Sequence, residues 1–229
     1  MLSGVILLQN GGVIMYSKTK KLTTISMLCA FAYILTLIGR IPIVLFLKYD
    51  SKDIVITIGG FIFGPMVSFY ITLLVSIVQM FTTSSTGIWG CVMNLISSCA
   101  FACTAAFVYK RRHTLSGAVM GLCCGWSSMV IVMLLWNYII APIYMDYPRE
   151  EITGLLFTAF LPFNLIKGGL NAGGTMLLYK PVVTALRRSH LLEPAKNTEK
   201  ARPDKGVILA SLLIIITCIL FVLSFNKVL

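Results

Sequence analysis

Apolar runs, most of them long enough to cross a lipid bilayer, fill this chain and leave its charges at their ends. Crossing the hydrocarbon core takes about 20 apolar residues in a helix. Runs of this kind cover 22–39, 66–81, 88–109, 115–141, 161–185 and 207–225. A shorter run, 54–64, is cut off from the next by Pro65. Seven spans are therefore predicted, the second of them short. Composition agrees: 58% of the 229 residues are hydrophobic and 12% are charged. A soluble domain carries about 25% charged residues. So few charges cannot cover a water-facing surface, and the predicted fold class is an all-α integral membrane protein.

The net charge of +11 raises the question of nucleic acid, but its placement excludes that reading. Lys18, Lys20 and Lys21 precede the first span, Lys110, Arg111 and Arg112 follow the fourth, and Lys180, Arg187 and Arg188 close the sixth. Lys196, Lys200, Arg202 and Lys205 lie in the polar stretch before the last span. With the N-terminus in the cytoplasm, 13 of the 19 basic residues fall inside. That is the bias expected of cytoplasmic loops. Lys52, Asp50 and Asp53 are then placed outside, with Asp146, Glu150 and Glu151. The chain divides into a leader (1–15), a six-span domain (16–188), a cytoplasmic linker (189–205) and one extra C-terminal span (206–229). That last run has no polar face beyond Ser, Thr and Cys, so it reads as an anchor touching mainly lipid. In the leader, Gly11-Gly12-Val13-Ile14 before Met15 resembles a ribosome-binding sequence translated in frame. Translation is therefore expected to start at Met15.

Polar groups inside lipid are costly and mark function by default; a lysine at the helix centre costs about 2.5–3.5 kcal/mol on insertion scales. The residues that qualify are Asn94, Asn137, Asn164, Lys167 and Asn171. In the predicted topology Asn94, Asn137, Asn164 and Lys167 fall at similar depth, near the outer ends of three spans. Asn164, Lys167 and Asn171 share one helix face by their i, i+3, i+7 spacing. A polar pocket opening outward follows. Lys167 has no acidic partner at similar depth in this reading, so a ligand, a backbone carbonyl or water must meet it. The alternatives are amides that merely join helices and a lysine that snorkels to the interface. Tyr49, Trp89, Trp136, Tyr138, Tyr144, Tyr147, Phe160 and Phe163 gather at the same level. Most read as an interfacial belt, and some as stacking faces for a flat ligand. Gly168, Gly169, Gly173 and Gly174 permit a close helix or ligand approach. Ser26 and Ala30 form a small-xxx-small pair suited to contact with another transmembrane helix.

Several chemistries lack their residues. No G-x-x-x-x-G-K-[ST] motif is present, so no P-loop binds ATP. No acid–lysine pair within the spans suggests ion coupling, and no inverted repeat is evident. No Ser–His or HExxH arrangement supports an enzyme. The seven cysteines lie in apolar runs without a C-x-x-C pair and read as packing residues. No metal or cofactor is expected. A binding protein without its own energy source needs a partner.

Three stretches are similar to a known family: LPFNLIKGGLNAGGTMLLYKPV (161–182), WNYIIAPIYMDYPRE (136–150) and LKYDSKDIVITIGGFIFGP (47–65). They resemble the riboflavin-specific S components of energy-coupling factor (ECF) transporters, over about residues 20–188. The resemblance implies a six-helix bundle holding the vitamin near the outer surface under capping loops. It implies two kinds of partner, a coupling transmembrane protein and two ATPases, with the first-helix motif matched by Ser26 and Ala30 meeting the coupling protein. Toppling of the bundle in the membrane is expected to present the ligand inward. By motif position Asn137, Asn164 and Lys167 hold the ring, with Asn94, Tyr144 and Trp89 as further binding candidates. An S component for another vitamin such as thiamin, or a structural membrane protein whose amides only join helices, are the competing readings.

Overall fold

Most helices begin and end close to the edges of the apolar runs, but the helix that carries the run 161–185 begins at Arg149, about twelve residues before it. The computed structural model describes residues 18–39, 41–44, 47–83, 87–191 and 205–225. The leader, Arg40, most of the polar linker and Lys227 lie outside these residues. Helix α1 covers Lys18–Ile38, and a small antiparallel hairpin of β1 (Ile41–Val44) and β2 (Leu47–Tyr49) follows it. Then come α2 (Lys52–Phe63), α3 (Pro65–Thr82), α4 (Gly87–Arg111), α5 (Leu115–Met145) and α6 (Arg149–Arg188). The last helix, α7, covers Lys205–Phe225. A wide π turn interrupts α4 at Cys99–Cys103 and another interrupts α6 at Leu156–Phe160.

Six helices among the described residues are long and apolar enough to cross a membrane: α1, α3, α4, α5, α6 and α7. Helix α2 is not. Its 12 residues rise roughly 18 Å, well short of the hydrocarbon core. It is buried from Lys52 to Phe61, as the central post of the bundle. The other helices are apolar on both sides and turn their outer faces to lipid, as Leu37, Phe81 and Ile131 do. The architecture is thus a six-helix bundle of α1 to α6, with α2 short and central, and α7 packed on its side.

Local residues explain the joints. Gly64 adopts φ of +99°, a conformation open to glycine, and turns the chain from α2 straight into α3. Pro65 then starts α3 at a position where its missing N–H costs nothing. Between helices, Phe101, Ile56, Ile71 and Met129 fill the core. At the end away from the hairpin, Phe61 stacks on Tyr109 at 4.4 Å, and Tyr109 shares a hydroxyl contact of 3.3 Å with Tyr179.

The extra helix is more than a lipid-facing anchor. Its outward side is exposed, but Ser211 is buried and Ile215, Cys218 and Val222 continue the same seam. That seam lies on Gly169 and Gly173 of α6. A Cβ at Gly173 would stand 2.9 Å from Ile215 Cγ1, and one at Gly169 2.8 Å from Cys218 Sγ. Gly168 instead meets Trp126 of α5, and Gly174 meets Ile54 of α2. The four glycines therefore serve three different helix contacts.

Candidate functional site

At the hairpin end, the bundle opens into a cavity of about 540 Å³. Ligand pockets for small molecules run from about 300 to 1,000 Å³. Its walls come from the last turns of α3, the first turns of α4, the end of α5, the stretch of α6 that follows its π turn, and strand β2. The four polar residues expected at one depth, Asn94, Asn137, Asn164 and Lys167, all line it. They share the cavity with Met80, Met93, Met133 and Met145 and with Phe160 and Phe163. Thioethers and aromatic faces of this kind suit a flat apolar surface.

The amides are oriented by their own helices. Asn164 donates from Nδ2 to the carbonyl of Phe160 at 2.8 Å, and Asn137 does the same to Met133. Each bond reaches back one turn and points the carboxamide oxygen away from its helix. Asn164 Oδ1 is buried and has no hydrogen-bond partner in the structure. One turn further along α6, Lys167 is 6% exposed, so it does not snorkel. Its ammonium donates to Ser97 Oγ at 3.0 Å. A buried acceptor without a partner thus sits beside a buried donor on one helix face.

The acidic partner of Lys167 corrects the sequence reading. Asp53 Oδ2 lies 3.3 Å from Lys167 Nζ. Asp53 is completely buried and also accepts from Ser98 Oγ at 2.5 Å and Asn171 Nδ2 at 3.2 Å. Tyr49 in turn donates its hydroxyl to Asn171 Oδ1 at 2.9 Å. Asn171 therefore belongs to the support behind the cavity and does not line it. The reading placed Asp53 in an outer loop because its apolar run starts at Ile54. The helix starts two residues earlier, and its first turn sinks into the bundle.

A second buried pair lies close by, so acid–lysine pairs do occur within the bundle. Lys52 is fully buried, with Asp50 Oδ2 at 3.3 Å. It donates to Gln79 Oε1 at 2.5 Å, and Gln79 Nε2 donates to Asp50 Oδ2 at 3.0 Å. Thr36 of α1 adds a bond to Asp50 Oδ1 at 3.2 Å. Burial alone pushes the Asp50 carboxyl, in the loop after β2, upward. The Lys52 ammonium and the Lys52 amide outweigh it and hold the group below its ordinary range. Gln79 and Asp50 line the cavity; the sequence places Asp50 only among the outer charges and does not single out Gln79.

Other candidates fall elsewhere. Trp89 is 44% exposed and does not line the cavity; it belongs with Tyr138 and Tyr147 among the exposed aromatics. Tyr144 stands in α5, and its side chain is outside the described residues. Ser26 and Ala30 both lie on the exposed face of α1.

Known proteins share this fold. Residues 20–179 match the family model for the substrate-specific component of ECF transporters. The chain is 28% identical over 180 residues to the riboflavin transporter RibU of Staphylococcus aureus (strain TCH60), covering 75% of this chain and 94% of that protein. It is 29% identical over 190 residues to the riboflavin transporter FmnP of Bacillus subtilis (strain 168), covering 76% and 99%. A solved S component of a bacterial ECF transporter superposes with a TM-score of 0.64 at 27% identity, covering 75% of this chain and all of that one. The match of the family model over most of the helical bundle places the chain in the ECF transporter substrate-specific component family.

Proposed function

We propose that this chain is the riboflavin-binding S component of an ATP-driven ECF uptake transporter in the cell membrane. The observation that carries the reading is the pairing, inside one cavity, of the unpartnered Asn164 Oδ1 with the Lys167 ammonium. Riboflavin is flat and uncharged, and its imide edge sets one N–H donor between two carbonyl acceptors. Asn164 Oδ1 accepts from the imide N–H, and Lys167 donates to a neighbouring carbonyl or ring nitrogen. Asn137 joins them in the cavity wall from α5, and Met and Phe side chains cover the ring faces. Relatives named as riboflavin transporters support the same substrate.

The basic residues support an N-terminus in the cytoplasm, which sets the cavity on the outside. No P-loop is present in the sequence, so energy comes from partners: a coupling membrane protein and ATPases. The exposed Ser26 and Ala30 on α1 are the proposed contact with the coupling protein.

Flavin fluorescence quenching by the purified chain tests the reading. Riboflavin is expected to bind at one per chain, and thiamin not at all. Lys167→Ala should weaken riboflavin at least tenfold, about 1.4 kcal/mol. An unchanged affinity removes Lys167 from the site. Binding of thiamin in place of riboflavin replaces the substrate, and a chain that binds neither is a structural protein instead.

A further inference from the structure

The end of the bundle opposite the cavity carries a charge imbalance that ligand binding does not use. Helix α1 starts there, α4 and α6 finish there, and they bring Lys21, Arg112 and Arg187 respectively. Among the described residues no acid stands at this end. Asp50, Asp53, Asp146, Glu150 and Glu151 all belong to the hairpin end, where the loop after β2 and the end of α5 line the cavity. In the sequence, Glu193, Glu199 and Asp204 of the linker are matched by its own Lys196, Lys200 and Arg202, so the linker brings no surplus negative charge.

Contacts gather these cations around two hydroxyls. Tyr109 Oη of α4 and Tyr179 Oη of α6 are 3.3 Å apart. One donates to the other, and the acceptor's own proton is left for a further partner. His113 sets its ring edge-on to Tyr109, with centroids 5.3 Å apart. Phe61 of α2 stacks on Tyr109, and two residues on, the Phe63 ring lies 5.9 Å from the Lys21 ammonium. Arg187 is within electrostatic reach of Tyr179. Arg112 follows Tyr109 by one turn, its N–H donating to the Tyr109 carbonyl at 3.0 Å. Both arginines are exposed.

We infer that this basin binds the phosphate headgroup of an anionic phospholipid. A phosphodiester accepts paired hydrogen bonds from a guanidinium and a further one from a phenol hydroxyl. Basic pockets between the ends of transmembrane helices hold such headgroups. The acyl chains have apolar surface beside the basin, because Leu22 next to Lys21 and Leu178 next to Tyr179 are exposed. A zwitterionic headgroup brings an ammonium that finds no carboxylate here, so selectivity for net negative charge follows. A soluble phosphate lacks the acyl contacts.

The melting temperature of the full-length chain in detergent is followed on titration with phosphatidylglycerol and with phosphatidylcholine of the same acyl chains. Phosphatidylglycerol should raise it at a concentration at least tenfold lower, and salt should weaken this effect alone. Glycerol 3-phosphate, without acyl chains, should have no effect at the same concentrations. Arg112→Gln combined with Arg187→Gln removes two charges, each worth roughly fivefold against an anionic lipid. The lipid-free double variant should melt with wild type, and it should need at least tenfold more phosphatidylglycerol, with its response to phosphatidylcholine unchanged. Equal wild-type responses to the two lipids overturn the site, as does a double variant that keeps the preference. Glycerol 3-phosphate acting as well as the lipid also overturns it, in favour of a soluble anion. Where the double variant melts low, the wild-type salt dependence decides, and a response insensitive to salt overturns the site. A chain indifferent to headgroup charge, whose double variant no longer co-purifies with ATPases, assigns the basin to a protein partner and overturns the lipid.

Discussion

An ammonium placed as deeply as Lys167 survives in an apolar bundle only with partners. Asp53 supplies the charge and Ser97 a hydroxyl, which engages two of the three N–H bonds and leaves one for the cavity. Asp53 is itself held by Ser98, Asn171 and, through Asn171, Tyr49. The chain of bonds runs from the hairpin to the cavity-facing ammonium, so Asp53 positions Lys167 without lining the cavity. Asp53→Asn keeps the shape and removes the charge. Breaking one side of a buried pair costs about 3–5 kcal/mol, and removing both sides costs less. The expectation is that Asp53→Asn destabilises the protein and weakens riboflavin. On a Lys167→Met background the same change should leave affinity alone. Flavin titrations and melts of the four proteins in this cycle test it; additive effects on affinity would assign Asp53 a purely structural part. Amides and a lysine in apolar runs stand out, so the place of Asn94, Asn137, Asn164 and Lys167 in the cavity wall was legible from sequence. Gln79 carried the same signal near the end of its run and was missed.

At the scale of elements, the spans were legible and their depths were not. Twenty apolar residues mark a crossing, but an apolar run shows where hydrophobicity begins, and a helix can begin earlier. Lys52 and Asp53 are charged and still form the buried first turn of α2, because α2 is too short to reach the surface and the hairpin fills the remaining depth. The contact between α7 and α6 was hidden for a related reason. Four glycines announce close approaches without saying to which helix, and an evenly apolar α7 shows no face. The structure divides them, giving Gly169 and Gly173 to α7. Cys218 and Val222 of α7 also pack near Ile43, Tyr49 and Phe163, so α7 braces the hairpin end as well. Gly173→Leu should therefore lower stability by about 1–3 kcal/mol through overpacking. Leu213→Ala, on the exposed side of α7, should stay within about 0.5 kcal/mol. Thermal melts in detergent compare them; equal effects would mean that α7 does not rest on α6 in the membrane.

For the whole molecule, the decisive asymmetry is between its two ends. The hairpin end holds the cavity. The other end is packed with Phe61, Tyr109 and Tyr179, above which Phe101 and Met129 fill the interior. A ligand in the cavity has no path through this core, since a packed interior does not open by small side-chain motions. Release on the far side then requires the bundle to move as a body, and its own sequence offers no P-loop to drive that motion. The work must enter through a surface that a partner can grip. Helix α1 presents one: Ser26 and Ala30 are exposed a turn apart, small enough for a second helix to approach the backbone. Ala30→Trp fills that approach and touches neither the core nor the cavity. The purified variant is expected to bind riboflavin within twofold of wild type and to melt at the same temperature. Co-purification with the coupling protein and flavin uptake by cells should both be lost. Retained uptake would move the contact to another face of the bundle. Lost uptake with intact co-purification would make this face necessary for the motion and dispensable for assembly.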